Sequence, residues 1–364
     1  MVKRTYGKTE IASSSENTKR MNSDEMPYLP EAVIFNILIM IPAHFLGSMR
    51  LVCKLWADLI KQPFFALLHH QHARPGLFVQ NKQFPYSARF LEPSRDGEFG
   101  VTYLAPRYPG LMFSSVKGLS LLSDPCNKLI YAINPFTMQG VKVHQPVICP
   151  SRDHSSCGLV YKNGVYTLVW GFQDAELAAH FCVLRLGIDD DWRKIETTIP
   201  YYGIYMQTHP ISIGGGFLCW AMARHRETVI MDTNDESFHI LRIPRGRTTP
   251  LAFLKKGEYL CTVTENLAVY LIHILKDVRR RKWIRYHRFD FARTREFMFT
   301  AYLKFIGWTS DEQELTMLAC KANDTLTCLA YNIKTRKIRC VDGYMNSGEN
   351  VQVHANTLIS SSYG

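Results

Sequence analysis

Three histidines lie close together in this 364-residue chain, and imidazole nitrogens are common zinc ligands. They are His69, His70 and His72. They have neither a neighbouring cysteine pair nor the helical i, i+4 spacing of a zinc site, so we interpret the three histidines as solvated side chains. Cys149, His154 and Cys157 could share a metal ion, but a polar loop with chance cysteines is the better interpretation. The sequence thus predicts no metal site.

Other motifs that could bind ligands are better explained as turns. Asp189-Asp190-Asp191 lacks the glycine and glutamate that follow in a calcium-binding loop, and aspartate stabilises turns by bonding to its own backbone. Gly214-Gly215-Gly216 lies between strand-like segments, where it indicates a bulge or tight turn. Gly7-Lys8-Thr9 lacks the upstream glycine of a phosphate-binding loop, and no GxSxG, HExxH or kinase signature occurs. We predict no catalytic residue and no cofactor.

The strongest charge feature is the basic run from Lys276 to Arg288. Its simplest interpretation is the solvated tip of a charged hairpin. A second interpretation is contact with an acidic partner or an import receptor, through Arg279, Arg280, Arg281 and Lys282. Nucleic-acid binding is the third and the least favoured, in which Trp283 and Tyr286 stack on bases while arginines meet phosphates.

Residues 29–64 predict a group of short helices. Leu29-Pro30-Glu31 opens the first helix, because proline at the first helical position lacks only an N–H that would have no partner there. Pro42 ends it, and a second helix is predicted from Ala43 to about Met49, a third from Arg50 to Lys61 and a fourth over residues 63–72. The first helix is apolar nearly all round, so it needs cover on more than one side. We favour another protein as that cover.

The order of residues in this segment resembles an F-box. The matching positions are Leu29-Pro30-Glu31, Ile37-Leu38, Ile41-Pro42, Leu46, Arg50-Leu51-Val52-Cys53-Lys54, Trp56, Leu59-Ile60 and Pro63-Phe64. F-box helices bind an adaptor of the Skp family, which is tied to a cullin and a RING subunit. The resemblance implies that ten residues face the adaptor or support that face: Leu29, Pro30, Ile34, Leu38, Ile41, Pro42, Leu46, Val52, Cys53 and Trp56. The alternative is that several of them, especially Val52 and Trp56, only form the small core of the unit.

Composition limits the class of protein. Forty-three Lys and Arg residues against 32 Asp and Glu residues give a formal net charge of +11, which favours acidic partners or nucleic acid. Ten cysteines are scattered without CxxC spacing, which is typical of reduced, buried thiols in an intracellular protein. Residues 1–25 are polar and predict a disordered arm without a secretory leader, and no apolar run reaches the length of about 18 residues that indicates a membrane span. We expect the protein in the nucleus, the cytoplasm or both.

From Leu77 onward the hydrophobic period changes to two, which predicts β strands. Five pairs of hairpin-like segments follow, and the second hairpins turn near Asn134, Asp190, Asp232, Asp277 and Asn332. Four strands repeated at roughly 40–50 residues correspond to one blade of a β-propeller. Segments 77–80, 99–104 and 351–359 could complete the ring, which gives five to seven blades. A sandwich of two antiparallel sheets is the alternative.

The same region resembles the F-box-associated domain of plant F-box proteins, which is kelch-like or propeller-like. The matching elements are Gly118-Leu119 with Asn134-Pro135-Phe136-Thr137, Asp191-Trp192-Arg193, Gly216 to Trp220, and Asp232 with Glu236-Ser237-Phe238 and Ile243-Pro244. A YDxxxxxYKV element keeps only its outline at Leu159 to Tyr166. The chain is therefore expected to be mainly β, with a small N-terminal all-α module.

Together these patterns predict three parts and one function. The parts are a disordered arm (residues 1–25), an F-box helical module (26–72) and an antiparallel β-propeller-like domain (75–362). The resemblance implies a non-catalytic substrate receptor of an SCF-type (Skp-cullin-F-box) ubiquitin ligase, which binds a Skp-family adaptor through the F-box and a protein target through the β domain. Two alternatives stay open: an F-box protein that acts outside ubiquitination through nucleic acid at residues 276–288, and a propeller-type enzyme or small-ligand binder.

Overall fold

A computed structural model describes most of the chain. The described residues are 29–93, 99–124, 127–147, 155–176, 178–196, 199, 209–221, 227–244, 250–266, 269–290, 300–310, 312–321 and 326–359, with backbone alone at 300, 301 and 342–344. The predictions for residues 1–25, Gly7-Lys8-Thr9, Cys149 and His154 lie outside this part.

Four helices precede the strands, as the sequence predicts. They are α1 (Glu31–Ile39), α2 (Ala43–Met49), α3 (Lys54–Lys61) and α4 (Pro63–His72). The carbonyl of Pro30 accepts hydrogen bonds from the backbone N–H groups of Val33 and Ile34 at 2.9 and 3.1 Å. Pro42, just before α2, has nearly the same backbone angles as Pro30, just before α1. A proline is tolerated at the start of a helix but interrupts a helix elsewhere, so Pro42 separates α1 from α2.

Helix α3 is shorter than predicted. The backbone of Cys53 is extended, with φ −159° and ψ 167°, so the helix begins at Lys54 instead of Arg50. Bonds from Leu51 N–H to the Ser48 carbonyl and from Val52 N–H to the Met49 carbonyl tighten the end of α2 and use these residues in a turn. Val52 therefore lies outside α3, which corrects the prediction that the third helix begins at Arg50.

Six four-stranded antiparallel sheets follow the helices. From the inner to the outer strand, blades 1 to 3 are β24 (Glu349–Ala355), β1 (Pro75–Asn81), β2 (Ala88–Pro93) and β3 (Phe99–Tyr103); β4 (Leu111–Val116), β5 (Leu119–Asp124), β6 (Leu129–Ile133) and β7 (Gly140–His144); β8 (Ser155–Lys162), β9 (Val165–Gln173), β10 (Ala179–Arg185) and β11 (Arg193–Lys194). Blades 4 to 6 are β12 (Ile211–Ile213), β13 (Phe217–Ala221), β14 (Glu227–Asp232) and β15 (Ser237–Arg242); β16 (Ala252–Lys256), β17 (Tyr259–Asn266), β18 (Val269–Asp277) and β19 (Lys282–Asp290); β20 (Thr300–Thr309), β21 (Glu314–Lys321), β22 (Leu326–Asn332) and β23 (Ile338–Met345).

The sheets form a closed six-bladed propeller. Each inner strand contacts the inner strands of the two neighbouring blades. The last strand, β24, pairs with the first, β1, from Pro75 opposite Ala355 to Asn81 opposite Glu349. The C-terminal strand therefore closes the ring, as the sequence predicts for residues 351–359, and the alternative of two packed sheets is wrong.

Each interface between neighbouring blades contains one apolar cluster. In β1, for example, Leu77 and Val79 pack against blade 6, whereas Phe78 packs against blade 2. Successive side chains of a strand point to opposite faces, so a strand with a neighbouring blade on each side is apolar on both. The core of the propeller thus lies between the blades.

The period-two pattern did not predict β2, because charged residues interrupt it. The Nη2 atom of Arg89 lies 3.2 Å from Oε2 of Glu349 on β24, two strands away in the same blade. The carboxylate of Glu349 thus pairs with the charge of Arg89. Because the two residues are distant in sequence, no local sequence pattern predicts this contact.

Family-like motif residues tie neighbouring blades together. The indole N–H of Trp192 donates to the carbonyl of His144 in blade 2 at 2.7 Å, and that of Trp220 donates to Oγ of Ser156 in blade 3 at 3.0 Å. Arg193 forms an ion pair with Glu236 of blade 4. These positions therefore have a structural role in the ring.

The cysteines agree only partly with the prediction of buried thiols. Six of the described cysteines are buried: Cys157, Cys182, Cys219, Cys261, Cys320 and Cys328. Cys53 and Cys340 are exposed, because one lies in the turn before α3 and the other on an outer strand.

The described residues contain neither a metal-ligand cluster nor a membrane-spanning helix. No three histidine, cysteine, aspartate or glutamate side chains in the described ranges are grouped as metal ligands would be. None of the four described helices has the length and hydrophobicity needed to cross a membrane.

Candidate docking surface

Helix α1 has two apolar faces with different surroundings. The outer face consists of Leu29, just before the helix, and Val33, Ile37 and Met40 along it, all 40% to 54% exposed. These residues follow one another at steps of about one helical turn, so their side chains form one stripe. Ile34 and Leu38 lie on the other side and are 8% and 0% exposed. One face of an almost wholly apolar helix is therefore left uncovered.

The inner face of α1 packs into the core of the helical module, defined as residues 29–72. Its buried members are Ile34, Leu38, Ile39, Leu46, Leu59, Ile60 and Phe65. The rings of Phe35 and Phe65 meet edge to face, with centroids 5.4 Å apart. Four short helices enclose this cluster, and a unit of this size has no second core for the outer face of α1.

The ten predicted adaptor residues fall into three groups. Those exposed are Leu29, Pro30, Val52 and Cys53; those half-buried are Ile41, Pro42 and Trp56; and those buried are Ile34, Leu38 and Leu46. Trp56 packs against the module's core, as the alternative interpretation expects. The buried residues hold the helices in place and reach no partner directly, so only the first two groups remain candidates for contact.

Seven exposed apolar residues of the module were not among the ten predicted adaptor residues. They are Val33, Ile37 and Met40 on α1, Phe45 on α2, Leu51 in the turn that follows α2, and Phe64 and Leu67 on α4. For the three on α1, the signal was their helical spacing from Leu29. No local signal marks Phe45 or Leu51, because their exposure depends on how the helices pack.

Exposed apolar side chains are concentrated in this module. Of the twenty-one large apolar side chains that are exposed in the described part of the chain, nine lie within residues 29–72. Single exposed apolar residues are normal on protein surfaces, whereas a concentration of them marks an interaction site. The helical module is therefore the best candidate for a protein-docking surface.

Helix α4 joins the module to the propeller. Its Ala66 is 2% exposed and belongs to the apolar cluster of blades 2 and 3, with Val116 and Leu119. From the propeller side, Leu358 packs against the module's core. Nδ2 of Asn356 and Nδ1 of His44 on α2 lie 3.0 Å apart. The module thus sits against the face where the inner strands end, which we call the F-box face.

Asn134 holds the C-terminal segment that makes this joint. Its side-chain amide donates to the carbonyls of Thr357 and Ile359 at 2.6 and 2.7 Å, and its Oδ1 accepts from the N–H of Phe136 at 2.8 Å. Gly118 allows the close approach, because a Cβ there would meet Cγ2 of Thr357 at 2.2 Å. The Gly118 and Asn134 motifs therefore position the segment on which the module rests.

The histidines of α4 are not solvated as predicted. His69 is buried, and its Nε2 donates to the carbonyl of Ile41 at 2.8 Å. Burial, with the nearby charges of Lys117, His69 and Lys255, lowers the pKa of His70 to about 4. The prediction holds for His72 alone, because α4 lies between the module's core and the propeller.

The basic run includes the end of β18, the turn that follows it and most of β19. Nη2 of Arg279 lies 3.1 Å from Oδ2 of Asp232 in blade 4, and Nε of Arg280 lies 3.7 Å from Oδ2 of Asp277. Within the described ranges, Arg281 and Lys282 make no salt bridge. The turn is therefore a charged hairpin tip whose last two cations face solvent.

The comparison with known families decides what the helical module is. Residues 26–67 match the F-box domain, and residues 89–358, most of the chain, match the F-box associated beta propeller domain. This chain is an F-box protein with an F-box-associated propeller. The exposed apolar stripe on α1 thus belongs to the F-box, and the plant-type and kelch-like parts of the resemblance stay predictions.

Comparisons with curated proteins and with solved structures add nothing about the function of this F-box protein. No curated protein matches the chain significantly. Among solved structures, it is similar to a chain in the crystal structure of a nidogen/laminin complex, with 11% identity, a TM-score of 0.49 and coverage of 78% of this chain and 98% of that one. It is also similar to apo AztD from Citrobacter koseri, with 9% identity, a TM-score of 0.39 and coverage of 77% and 98%.

Proposed function

We propose that this F-box protein is the substrate receptor of an SCF-type ubiquitin ligase. The observation that carries the proposal is the uncovered apolar stripe on α1, within a domain whose family binds Skp-family adaptors. Leu29, Val33, Ile37 and Met40 are each about half exposed. Burying apolar area stabilises a complex by about 25 cal/mol per Å², so covering this stripe favours association. The adaptor would link the chain to a cullin and a RING subunit.

The receptor's contribution is positional. The helical module is held to the propeller through α4, Leu358 and the Asn356–His44 contact. A target bound to the propeller is therefore kept at a set position relative to the adaptor, which raises the effective concentration of its lysines near the conjugating enzyme. The receptor needs no catalytic group of its own for this role, and it would act in the nucleus, the cytoplasm or both.

A binding experiment with purified components tests the proposal. The full-length chain and its Val33→Asp/Ile37→Asp variant are each mixed with a Skp-family adaptor bound to cullin and RING subunits, and co-elution in gel filtration is measured. We expect the wild type to co-elute and the variant to elute alone, because two carboxylates on the stripe cannot be buried unpaired. Circular dichroism checks that the variant retains its helices.

A matched control distinguishes docking from general surface effects. Val101→Asp places a carboxylate at a residue of similar exposure, 51%, on the outer strand β3 of the propeller. This variant should co-elute like the wild type. Co-elution of the folded double variant, or failure of the wild type to bind any adaptor, would show that α1 is not the adaptor surface.

A further inference from the structure

A cleft of about 490 Å³ opens between blades 4 and 5. Its walls are the turns that follow the inner strands β12 and β16 and the turn between β18 and β19, so it opens on the F-box face. Two motifs that stand out in the sequence meet here: Gly214 and Gly215 of the triple-glycine motif contribute one wall, and Lys276 to Arg279 from the basic run contribute another.

The cleft is built by close contact between the two blades. The N–H of Gly214 donates to the carbonyl of Glu258 at 2.8 Å. A Cβ at Gly214 would lie 2.6 Å from Cβ of Glu258, so only glycine allows this approach. Across the cleft, buried Val278 anchors the basic turn in the apolar cluster of blades 4 and 5, and Arg279 reaches Asp232 of blade 4.

One wall presents an aromatic ring next to a cation. Nζ of Lys276 lies 4.1 Å from the ring centroid of Tyr259, and the ring of Phe217 lines the cleft as well. Aromatic side chains in an open cleft provide apolar contact area for a ligand. An open cleft of this kind suits a side chain of an extended segment better than a small molecule that must be enclosed.

The charges that line the cleft are balanced, with Glu258 and Asp277 against Lys276 and Arg279, whereas the turn beyond the lining carries an excess of cations. Asp232 and Asp277 are matched by Arg279 and Arg280, whereas Arg281 and Lys282 at the end of the same turn make no salt bridge with any described residue. The whole chain carries a formal charge of +11. The ligand that complements this surface is acidic, with an aromatic group next to its carboxylates.

We infer that the cleft binds an acidic peptide segment of the protein target. An aromatic side chain of the segment lies against Tyr259 and Phe217, and its carboxylates meet Arg281 and Lys282. The inference rests on the proposed receptor function, and it adds the class of target segment and the place where the segment binds. Nucleic acid fits less well, because Trp283 packs in the cluster of blades 4 and 5 and Tyr286 packs edge to face on Trp308 instead of presenting a free ring to bases.

Fluorescence polarisation of the full-length protein tests this. The probe is a short fluorescein-labelled peptide of alternating glutamate and tyrosine, compared with one of alternating lysine and tyrosine and with a labelled single-stranded oligonucleotide. The acidic peptide should bind and the basic peptide should not. Arg281→Glu/Lys282→Glu should weaken binding about tenfold, since each reversed exposed pair changes the binding free energy by about a kcal/mol or less. Tyr259→Ala should also weaken it.

The turn of blade 6 offers a matched control. Lys334 and Arg336 are exposed, lie at the equivalent turn between β22 and β23, and Arg336 has the same left-handed backbone as Arg281. Lys334→Glu/Arg336→Glu changes the net charge equally but leaves the cleft intact. It should keep wild-type affinity for the acidic peptide.

Each contrary result has a definite meaning. Equal weakening by both charge reversals shows attraction to overall charge and overturns the inference, and so does tighter binding of the oligonucleotide that Arg281→Glu/Lys282→Glu abolishes. No binding of the acidic peptide by a protein that still binds the adaptor overturns the inference alone. Peptide binding by a protein that binds no adaptor leaves the cleft assigned and removes the proposed function.

Discussion

The helical module and the propeller treat their apolar residues differently. In the propeller each strand lies in a sheet with a neighbouring blade on either side, so Leu77 and Phe78 on opposite faces of β1 are both buried. In the module, α1 meets one core only, so Leu38 is buried while Ile37, the preceding residue, is 47% exposed. Neighbouring apolar residues on a propeller strand can therefore both belong to the core, whereas neighbouring apolar residues on α1 belong to the core or to the exposed stripe according to their helical face.

Truncation on the inner face of α1 should have the largest effect. Leu38→Ala removes a fully buried side chain from the module's core and should lower the free energy of unfolding of the module by about 3 kcal/mol. Hydrogen exchange followed by mass spectrometry should show faster exchange throughout α1, α3 and α4. Protection equal to that of the wild type would mean that the module's core does not depend on this contact.

The same truncation one residue earlier should change binding and leave stability unaffected. Ile37→Ala should weaken adaptor binding about tenfold, because a half-exposed anchor is lost, while the exchange rates of α1 stay close to wild type. Titration calorimetry with a Skp-family adaptor measures the first effect. If Ile37→Ala destabilised the module as much as Leu38→Ala, the distinction between the two faces would be wrong.

The joint between the two regions should be sensitive to acid. Burial, with Lys117, His69 and Lys255 nearby, holds the pKa of His70 at about 4 in the folded protein, against about 6.5 when it is unfolded. The unfolded state therefore binds the extra proton between these values, so the stabilisation is complete above pH 6.5 and is lost as the pH falls towards 4.

His70→Asn should reduce this dependence. We expect the free energy of unfolding to fall by about 2 kcal/mol more in the wild type than in the variant when thermal unfolding at pH 7 is compared with that at pH 4.5. This value is smaller than the full pKa shift implies, because the ring of His70 is partly exposed to solvent. Identical losses in both proteins would show that His70 is not the group responsible.

The smallest expected loss of stability concerns the apolar contact across the joint between the module and the propeller. Leu358→Ala should lower stability by about 1 to 2 kcal/mol, since this half-buried side chain packs against the module's core from the propeller side. Exchange should become faster in α4 but not in blades 4 to 6. Leu251→Ala, at a leucine that is 44% exposed on the propeller, is the control and should change neither. Unchanged exchange in α4 would mean that the joint is held by the other contacts.

The exposed apolar surface of the F-box shows how far sequence reasoning reaches. Resemblance to the F-box located the correct segment. It put Leu38 and Leu46 in one group with Leu29 and Val52, and could not tell that the first two are fully buried. The family pattern includes core residues as well as contact residues, because both are needed for the domain. The exposed Val33, Ile37 and Met40 could be separated from the core by helical spacing, whereas the exposure of Phe45 could not.

The propeller shows the same limit at larger scale. Alternating hydrophobic residues predicted most strands and placed the hairpin turns at Asn134 and Asn332, because side-chain period and turn chemistry act over a few residues. Strand β2 was missed, since Arg89 is matched by Glu349 at the other end of the chain.

Local patterns in the chain were enough to predict the four helices, most of the strands and the family resemblance. The number of blades, the closure of the ring by β24, the exposed face of α1 and the meeting of Gly214 with the basic turn depended on the assembled fold. The physical reason is one of range. Backbone propensity and hydrophobic period are set by neighbouring residues, whereas burial and charge pairing are set by residues that only folding brings together.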